Sequence, residues 1–181
     1  MSEIITVSDT LELRAVEEQY VTPLHQLVLK NKVWLQRSLN WPQLVESEDD
    51  TRKNVQGNMM LHQRGYAKMF LIFKQDEVVG VISFNQIEPL NKAAYIGYWL
   101  DEVHQGQGIM SRSLQALIHH YAQRGEIRRF IIKCRVDNQE SNQVALRNGF
   151  QLEGGLKQAE FLNGDYHDVN LYARIIDSDS E

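Results

Sequence analysis

Tyr98-Trp-Leu-Asp-Glu-Val-His-Gln-Gly-Gln-Gly-Ile-Met-Ser111 decides how this chain is read. Its β-prone residues end near Leu100, and a short loop carries Gly106 and Gly108. Leu114, Leu117, Ile118 and Tyr121 then recur at three- and four-residue intervals, the spacing of one helix face. Glycines let a backbone approach a bulky anion, and the free N–H groups of a helix start can cradle a pyrophosphate. Gly-x-Gly alone describes a tight strand-to-helix turn equally well. A dinucleotide-binding Rossmann loop does not fit, because the third glycine is missing and antiparallel strands precede the loop. A P-loop fails for want of Gly-Lys-Ser/Thr.

Working outward, Ala67–Phe73, Val78–Ile87 and Ala93–Leu100 are β-prone runs separated by the turns Gln75-Asp-Glu and Pro89-Leu-Asn, which predicts an antiparallel meander. Further upstream, Leu11–Val16 alternates as a strand. Thr22-Pro23 suits an N-cap and first helical position, with Leu24, Leu27 and Val28 on one face. Leu39-Asn-Trp-Pro42 closes that region. Glu46, Glu48, Asp49 and Asp50 lead a second helix carrying Val55 and Met59, where carboxylates suit the positive end of the dipole. Downstream, Phe130–Val136 is a strand, so strand, helix and strand form a parallel crossover. Asp137 and Glu140 suit a capping box for the next helix. Asn163-Gly164 between Gln158–Leu162 and His167–Ile175 is a type I′ hairpin signal. The expectation is an α/β fold: a mixed central sheet with an antiparallel N-terminal meander, a parallel strand pair and a C-terminal hairpin, helices covering both faces.

At about 150 residues per domain, 181 residues read as one domain over 1–181, with an acidic tail, 177–181, that frays. Nineteen Lys/Arg against twenty-four Asp/Glu give a net charge of −5, without the basic footprint of a nucleic-acid binder. Residues 1–50 hold four basic and nine acidic residues, and the remainder is balanced. The single cysteine, Cys134, excludes an intramolecular disulfide and fits a reducing compartment. The first residues lack a positive, apolar leader. Runs such as Met69–Phe73 fall far short of the ~20 residues of a membrane span. The expectation is a cytoplasmic protein that neither enters a membrane nor binds nucleic acid. No metal site is expected: His119 and His120 point about 100° apart on one helix, and no Cys/His cluster joins them.

Three ordered blocks go further. They are Gln105-x-x-Gly108 before an amphipathic helix, Asp137-Asn138-x-x-Ser141 leading to Arg147-Asn-Gly149-Phe150, and Glu153-Gly154…Ala159-Glu160…Asn163-Gly164…Asp168…Tyr172. Over residues 8–176 the chain resembles the GCN-five-related N-acetyltransferases (GNAT), and within them the ribosomal-protein N-terminal acetyltransferases of the RimJ/RimL group. Met110 stands where Gly or Ala is common. The resemblance implies the GNAT fold, acetyl-CoA as cosubstrate and direct attack in a ternary complex. It implies a strand splayed from its parallel neighbour, with the pantetheine arm on the exposed edge near Trp99 and Leu100. Pyrophosphate donors would come from Gly106, Gln107, Gly108, Ile109, Met110 and Ser111. The implied acceptor is the N-terminal serine of a ribosomal protein, the acidic stalk protein. The rival readings are a small-amine acetyltransferase, for an antibiotic or polyamine, and a non-catalytic acyl-CoA-binding module. A homodimer is expected, since a small domain has little surface with which to enclose a polypeptide groove.

Ser141 falls in the first turn of its helix, where the dipole favours a developing thiolate, and is the leading proton donor; the competing reading is a solvated first-turn serine. Asn138 either holds the pantetheine amide or serves helix entry. If Asn163-Gly164 is a two-residue turn, Glu160 lies opposite His167, and a carboxylate beside an imidazole makes Glu160 the leading general base. An exposed cross-strand ion pair is the competing reading, and Asp101, Glu102 or water are other destinations for the proton. Cys134 reads as a core thiol rather than a covalent carrier of the acetyl group.

Overall fold

The computed structural model describes residues 3–177, so Ser178–Glu181, most of the expected acidic tail, lie outside the described residues. One eight-stranded sheet runs in the order β1-β2-β3-β4-β5-β6-β8-β7. Its strands are β1 (Ile4–Thr6), β2 (Leu11–Ala15), β3 (Lys68–Lys74), β4 (Glu77–Glu88), β5 (Ala93–Leu100), β6 (Arg129–Arg135), β7 (Gln151–Leu162) and β8 (Asp165–Ile175). The helices are α1 (Val21–Lys30), α2 (Lys32–Leu35), α3 (Glu48–Arg64), α4 (Ile109–Gln123) and α5 (Gln139–Arg147). All neighbouring strands are antiparallel except β5 and β6, the pair joined through α4. The meander, the parallel pair and the hairpin stand in the expected places.

The period-2 pattern of β3 explains the two layers. Phe70 and Ile72 face the α4 side, where Leu114, Leu117 and Tyr121 close the main core. Met69, Leu71 and Phe73 face α1 and α3, where Leu24, Val28 and Val55 pack on them. Helix α3 starts as its acidic cluster suggests: Ser47 caps the Asp50 amide while the Asp50 carboxylate accepts from the Ser47 amide.

Three local readings are corrected. Helix α1 begins at Val21 after Tyr20, with no side-chain cap, so Thr22 is not the N-cap and Pro23 sits third. A proline is tolerated there because amides of the first turn lack an intrahelical acceptor. Helix α5 is capped by Asn138, whose Oδ1 accepts from the Ser141 amide at 3.2 Å; Asp137 is drawn away by Arg135 Nε at 3.0 Å. Strand β7 starts at Gln151 instead of Gln158, because the glycines Gly154 and Gly155 pair with Leu171 and Asn170 rather than turning. Asn163 and Gly164 have φ of 51° and 88°, the two left-handed positions that a type I′ turn requires.

Candidate active site

The site originates in a register defect. Strand β4 shifts register between Phe84 and Gln86, opposite Ile96 and Tyr95 of β5, and a bulge of this kind bends the strand pair. At the same level β5 parts from β6: their last paired residues are Tyr95 and Ile131. From Ile96 to Leu100, the edge of β5 facing β6 carries no ladder partner, while β6 continues along β8 to Arg135. Gly97 accommodates the Asn85 side chain at the bulge. A cleft of about 470 Å³ opens between the diverging strands, lined by Trp99, Leu100, Met110, Asn138, Ser141 and Glu160 among others.

At one end stands the glycine loop. Gly106 and Gly108 adopt φ of 77° and 74°, and Gly108 is the N-cap of α4 with no side chain capping the helix. Its first-turn amides therefore lack both an intrahelical acceptor and a side-chain cap. Ile109 and Met110 are buried, which fixes the turn by packing and leaves the backbone as the outward-facing chemistry. Met110 points into the core and lines the cleft, so its bulk stays off the loop surface. Lys74 donates to Gln107 Oε1 at 3.0 Å, and Arg112 donates to the carbonyls of Gln107 and Gly108, both at 3.2 Å. Lys74 escaped the sequence reading because it lies 33 residues from Gln107. Gly106, Gln107, Gly108, Ile109 and Ser111 lie outside the cleft itself. The Ser111 hydroxyl accepts from Asn148 Nδ2 at 3.1 Å and borders a second hollow of about 560 Å³ with Arg112 and Gln115.

Along the middle, Ser141 occupies the first turn of α5. Its hydroxyl lies 3.2 Å from the Tyr98 phenol oxygen, and the same turn is pinned by Asn142. The buried Asn142 amide donates to the carbonyls of Arg135 and Asn138, at 2.9 and 2.7 Å. Its oxygen accepts from Asn170 at 2.9 Å and Tyr172 at 2.6 Å. Every hydrogen-bonding position of that side chain is filled, so α5 is held in place against β6 and β8. Nothing in the local sequence marks Asn142. Cys134 is buried beside this turn, and burial pushes its thiol up, despite a lowering hydrogen bond with Ser141.

At the far end Glu160 and His167 are cross-strand partners, as counted from the turn, yet their side chains do not meet. The register shift between Leu156 and Glu160 strengthens the local twist. His167 Nε2 lies 3.2 Å from the Leu162 carbonyl oxygen, and Nδ1 lies 4.0 Å from Asp137. Glu160 instead has Arg135 Nη1 at 3.9 Å. The buried Arg135 also reaches the Ser38 carbonyl at 3.4 Å, and its hydrogen bond holds the Asp137 carboxyl below the usual range. Asp101 does not line the cleft. Burial raises its carboxyl, but hydrogen bonds from Lys30, Asn31 and His104 outweigh this and hold it low. It fastens α1 to the end of β5. Among the described residues no His/Cys/Asp/Glu group is arranged to hold a metal ion.

The comparisons with known proteins agree with this geometry. The ribosomal-protein-serine acetyltransferase of Escherichia coli (strain K12) is 77% identical over 178 residues, covering 98% of this chain and 99% of that protein. The solved structure of RimL, a ribosomal L7/L12 alpha-N-protein acetyltransferase in complex with coenzyme A joined to a cysteine by a disulfide, superposes with a TM-score of 0.96 at 74% identity, covering 97% of this chain and 99% of that one. The microcin C7 self-immunity acetyltransferase MccE, in complex with acetyl-CoA and AMP, superposes with a TM-score of 0.92 at 40% identity, covering 94% of each. Residues 10–151 match the acetyltransferase (GNAT) domain, and with the splayed β5–β6 pair leading into a glycine-capped helix, the chain belongs to the GNAT acetyltransferase family.

Proposed function

We propose that this chain transfers the acetyl group of acetyl-CoA to the N-terminal amine of a ribosomal protein, a serine of the acidic large-subunit stalk protein, by direct attack in a ternary complex. The observation that carries the reading is that Ser141 and Glu160, from different elements, line one cleft opened by the parting of β5 from β6. Its acceptor rests on the 77%-identical ribosomal-protein-serine acetyltransferase.

The residues fit acetyl-CoA. The unpaired edge at Trp99 and Leu100 suits the amides of the pantetheine arm, and the amides from Gly106 to Ser111, with Lys74 and Arg112 close by, suit the pyrophosphate. Asn138 serves helix entry through its cap and lines the cleft beside the arm. When bound, acetyl-CoA supplies the thioester-activated acetyl group. Glu160 orients the incoming ammonium and takes one proton from it, passing that proton to water. The neutral nitrogen then bonds to the acetyl carbon and sheds its second proton to the carboxylate. Ser141, expected from the sequence as the proton donor, serves in this reading through a hydrogen bond to the sulfur, because a serine hydroxyl is a weaker acid than a thiol. The sulfur leaves with the electron pair of the broken C–S bond at a helix N-terminus that favours the negative charge. A coenzyme–cysteine disulfide in the 74%-identical neighbour supports seating the thiol end near Cys134, the chain's one cysteine.

Enzyme and acceptor are both acidic in this reading, so recognition is local rather than steered by net charge. The reading takes residues 1–181 as one catalytic unit working in the cytoplasm beside ribosomes. It includes a homodimer, because the edge strand β7 is exposed from Gln151 to Ala159. The likeness to the microcin immunity enzyme favours a small-molecule amine as the second reading. One assay separates them: labelled acetyl-CoA offered with a serine-starting peptide, a peptide whose only amine is a lysine, and a small amine. Fastest transfer to the serine terminus is expected, and preference for either other amine rejects the N-terminal assignment.

A further inference from the structure

Tyr98 stands on β5 beyond its last pairing with β6, and its ring packs against the main core on the α4–α5 side. Its phenol oxygen lies 3.2 Å from Ser141 Oγ and 3.5 Å from the Ser141 carbonyl oxygen; among the described residues it has no other hydrogen-bond partner. Each hydroxyl owns one hydrogen, so only one of the two oxygens donates across the 3.2 Å gap. If Ser141 donated, its hydrogen would be turned away from the cleft. The phenol is the more acidic of the pair and the better donor. Burial, against the lowering hydrogen bond with Ser141, pushes Tyr98 up to about 12, so it stays protonated at neutral pH. The Ser141 backbone is independently fixed by the Asn138 cap, and its hydroxyl rotor is set by two neighbours, the Tyr98 phenol and the Cys134 thiol.

We propose that Tyr98 is a positioning residue for acetyl transfer: its phenol donates to the Ser141 hydroxyl and so directs the Ser141 hydrogen at the departing sulfur. The proposal rests on the Ser141 role given above. Proton balance is unchanged by it. Counted from the neutral amine, the C–N bond forms, the C–S bond breaks with its electron pair on sulfur, Glu160 takes the proton shed by nitrogen, and the thiolate collects one from water on release. Tyr98 and Ser141 keep their own protons throughout. Two aligned hydroxyls present a polarised donor to sulfur, worth more than a freely rotating one.

The test is a double-mutant cycle on Tyr98→Phe and Ser141→Ala, with a second readout that needs no turnover. Single-turnover rates report the chemical step. Ultraviolet titration of the thiol of bound CoA reports how well the site stabilises a thiolate. Tyr98→Phe is expected to slow the chemical step ~10-fold, the worth of one hydrogen bond, with acetyl-CoA affinity and melting temperature unchanged. It should also raise the bound thiol's pKa. In the Ser141→Ala background the same change should do nothing further to either readout. Fluorotyrosine at Tyr98, a stronger donor in an otherwise native ring, should lower the thiol's pKa. Multiplicative losses in the double variant, or a Tyr98→Phe enzyme with wild-type rate and titration, overturn the proposal. A Ser141→Ala enzyme with wild-type rate and titration overturns the Ser141 reading itself, and is recognised before Tyr98 is considered.

Discussion

Arg135 Nη1 lies 3.9 Å from Glu160 Oε1, although the strand register pairs Glu160 with His167. The carboxylate therefore works beside a buried guanidinium whose Nε is already committed to Asp137, while the imidazole leans on the Leu162 carbonyl. The charged group facing this carboxylate is thus a permanent cation rather than an imidazole.

Glu160→Gln keeps the side chain's shape and removes its base. An α-amine has a pKa of about 8, so the neutral nucleophile becomes scarce below that pH. Turnover on a serine-starting peptide should fall ~10²-fold at pH 6 and recover in part above pH 8. Parallel pH–rate curves for variant and wild type would reject Glu160 as the base.

Gly108→Asp adds a side chain where φ is 74° and an anion where a pyrophosphate is expected. An ideal Cβ there meets only Arg112 Nε, at 3.9 Å, so crowding is not the issue. Backbone strain of ~1 kcal/mol leaves the fold intact, while acetyl-CoA affinity should drop at least ~10-fold through charge repulsion. Calorimetry gives the affinity and circular dichroism the folding; unchanged affinity would remove the pyrophosphate from this loop.

Cys134→Ala tests direct attack. The thiol is buried and its pKa is raised, chiefly by burial, so thiolate is scarce at neutral pH. Turnover should stay within ~3-fold of wild type, since the substitution removes one buried sulfur and no proton carrier. Mass spectrometry of the wild-type enzyme with acetyl-CoA alone should show no acetylated cysteine. A collapse of turnover together with an acetyl-cysteine adduct would establish the covalent route instead.

Glu3→Gln probes how the start of the sheet is tied to α4. The Glu3 carboxylate accepts from the Tyr121 phenol at 2.7 Å and Arg124 at 3.2 Å, with His120 Nε2 at 3.1 Å and His62 Nε2 at 3.6 Å. Interaction with His62, then Tyr121 and His120, outweighs burial and lowers this carboxyl from 4.5 to about 2. A depressed carboxyl pKa contributes stability that is complete above 4.5 and disappears as pH falls through about 2. The melting-temperature gap between wild type and Glu3→Gln should accordingly close as pH falls from 4.5 toward 2. A gap independent of pH over that window would show that the charge on Glu3 contributes nothing.

What the sequence determined by itself is local and periodic. Strands β2 to β6 and helices α3 and α4 announce themselves through alternation, helical spacing and an acidic N-terminal cluster. The Asn163-Gly164 turn sets the hairpin register, so the pairing of Glu160 with His167 follows by counting. The glycine loop and the three family blocks were enough to name the fold and its cosubstrate.

Tertiary structure alone decided the rest, because those features join residues far apart in the chain. Where β5 leaves β6 depends on a β4 bulge, and periodicity carries no mark of a one-residue register shift. Tyr98 reads as one more strand residue until α5 arrives 43 positions later and sets Ser141 beside its phenol. Arg135 and Asn142 look like ordinary polar residues of a strand end and a helix, yet burial forces each to satisfy its hydrogen bonds across several elements. Side-chain direction at Glu160 followed the same logic: strand pairing sets which residue lies opposite, and three-dimensional packing sets which charge it faces.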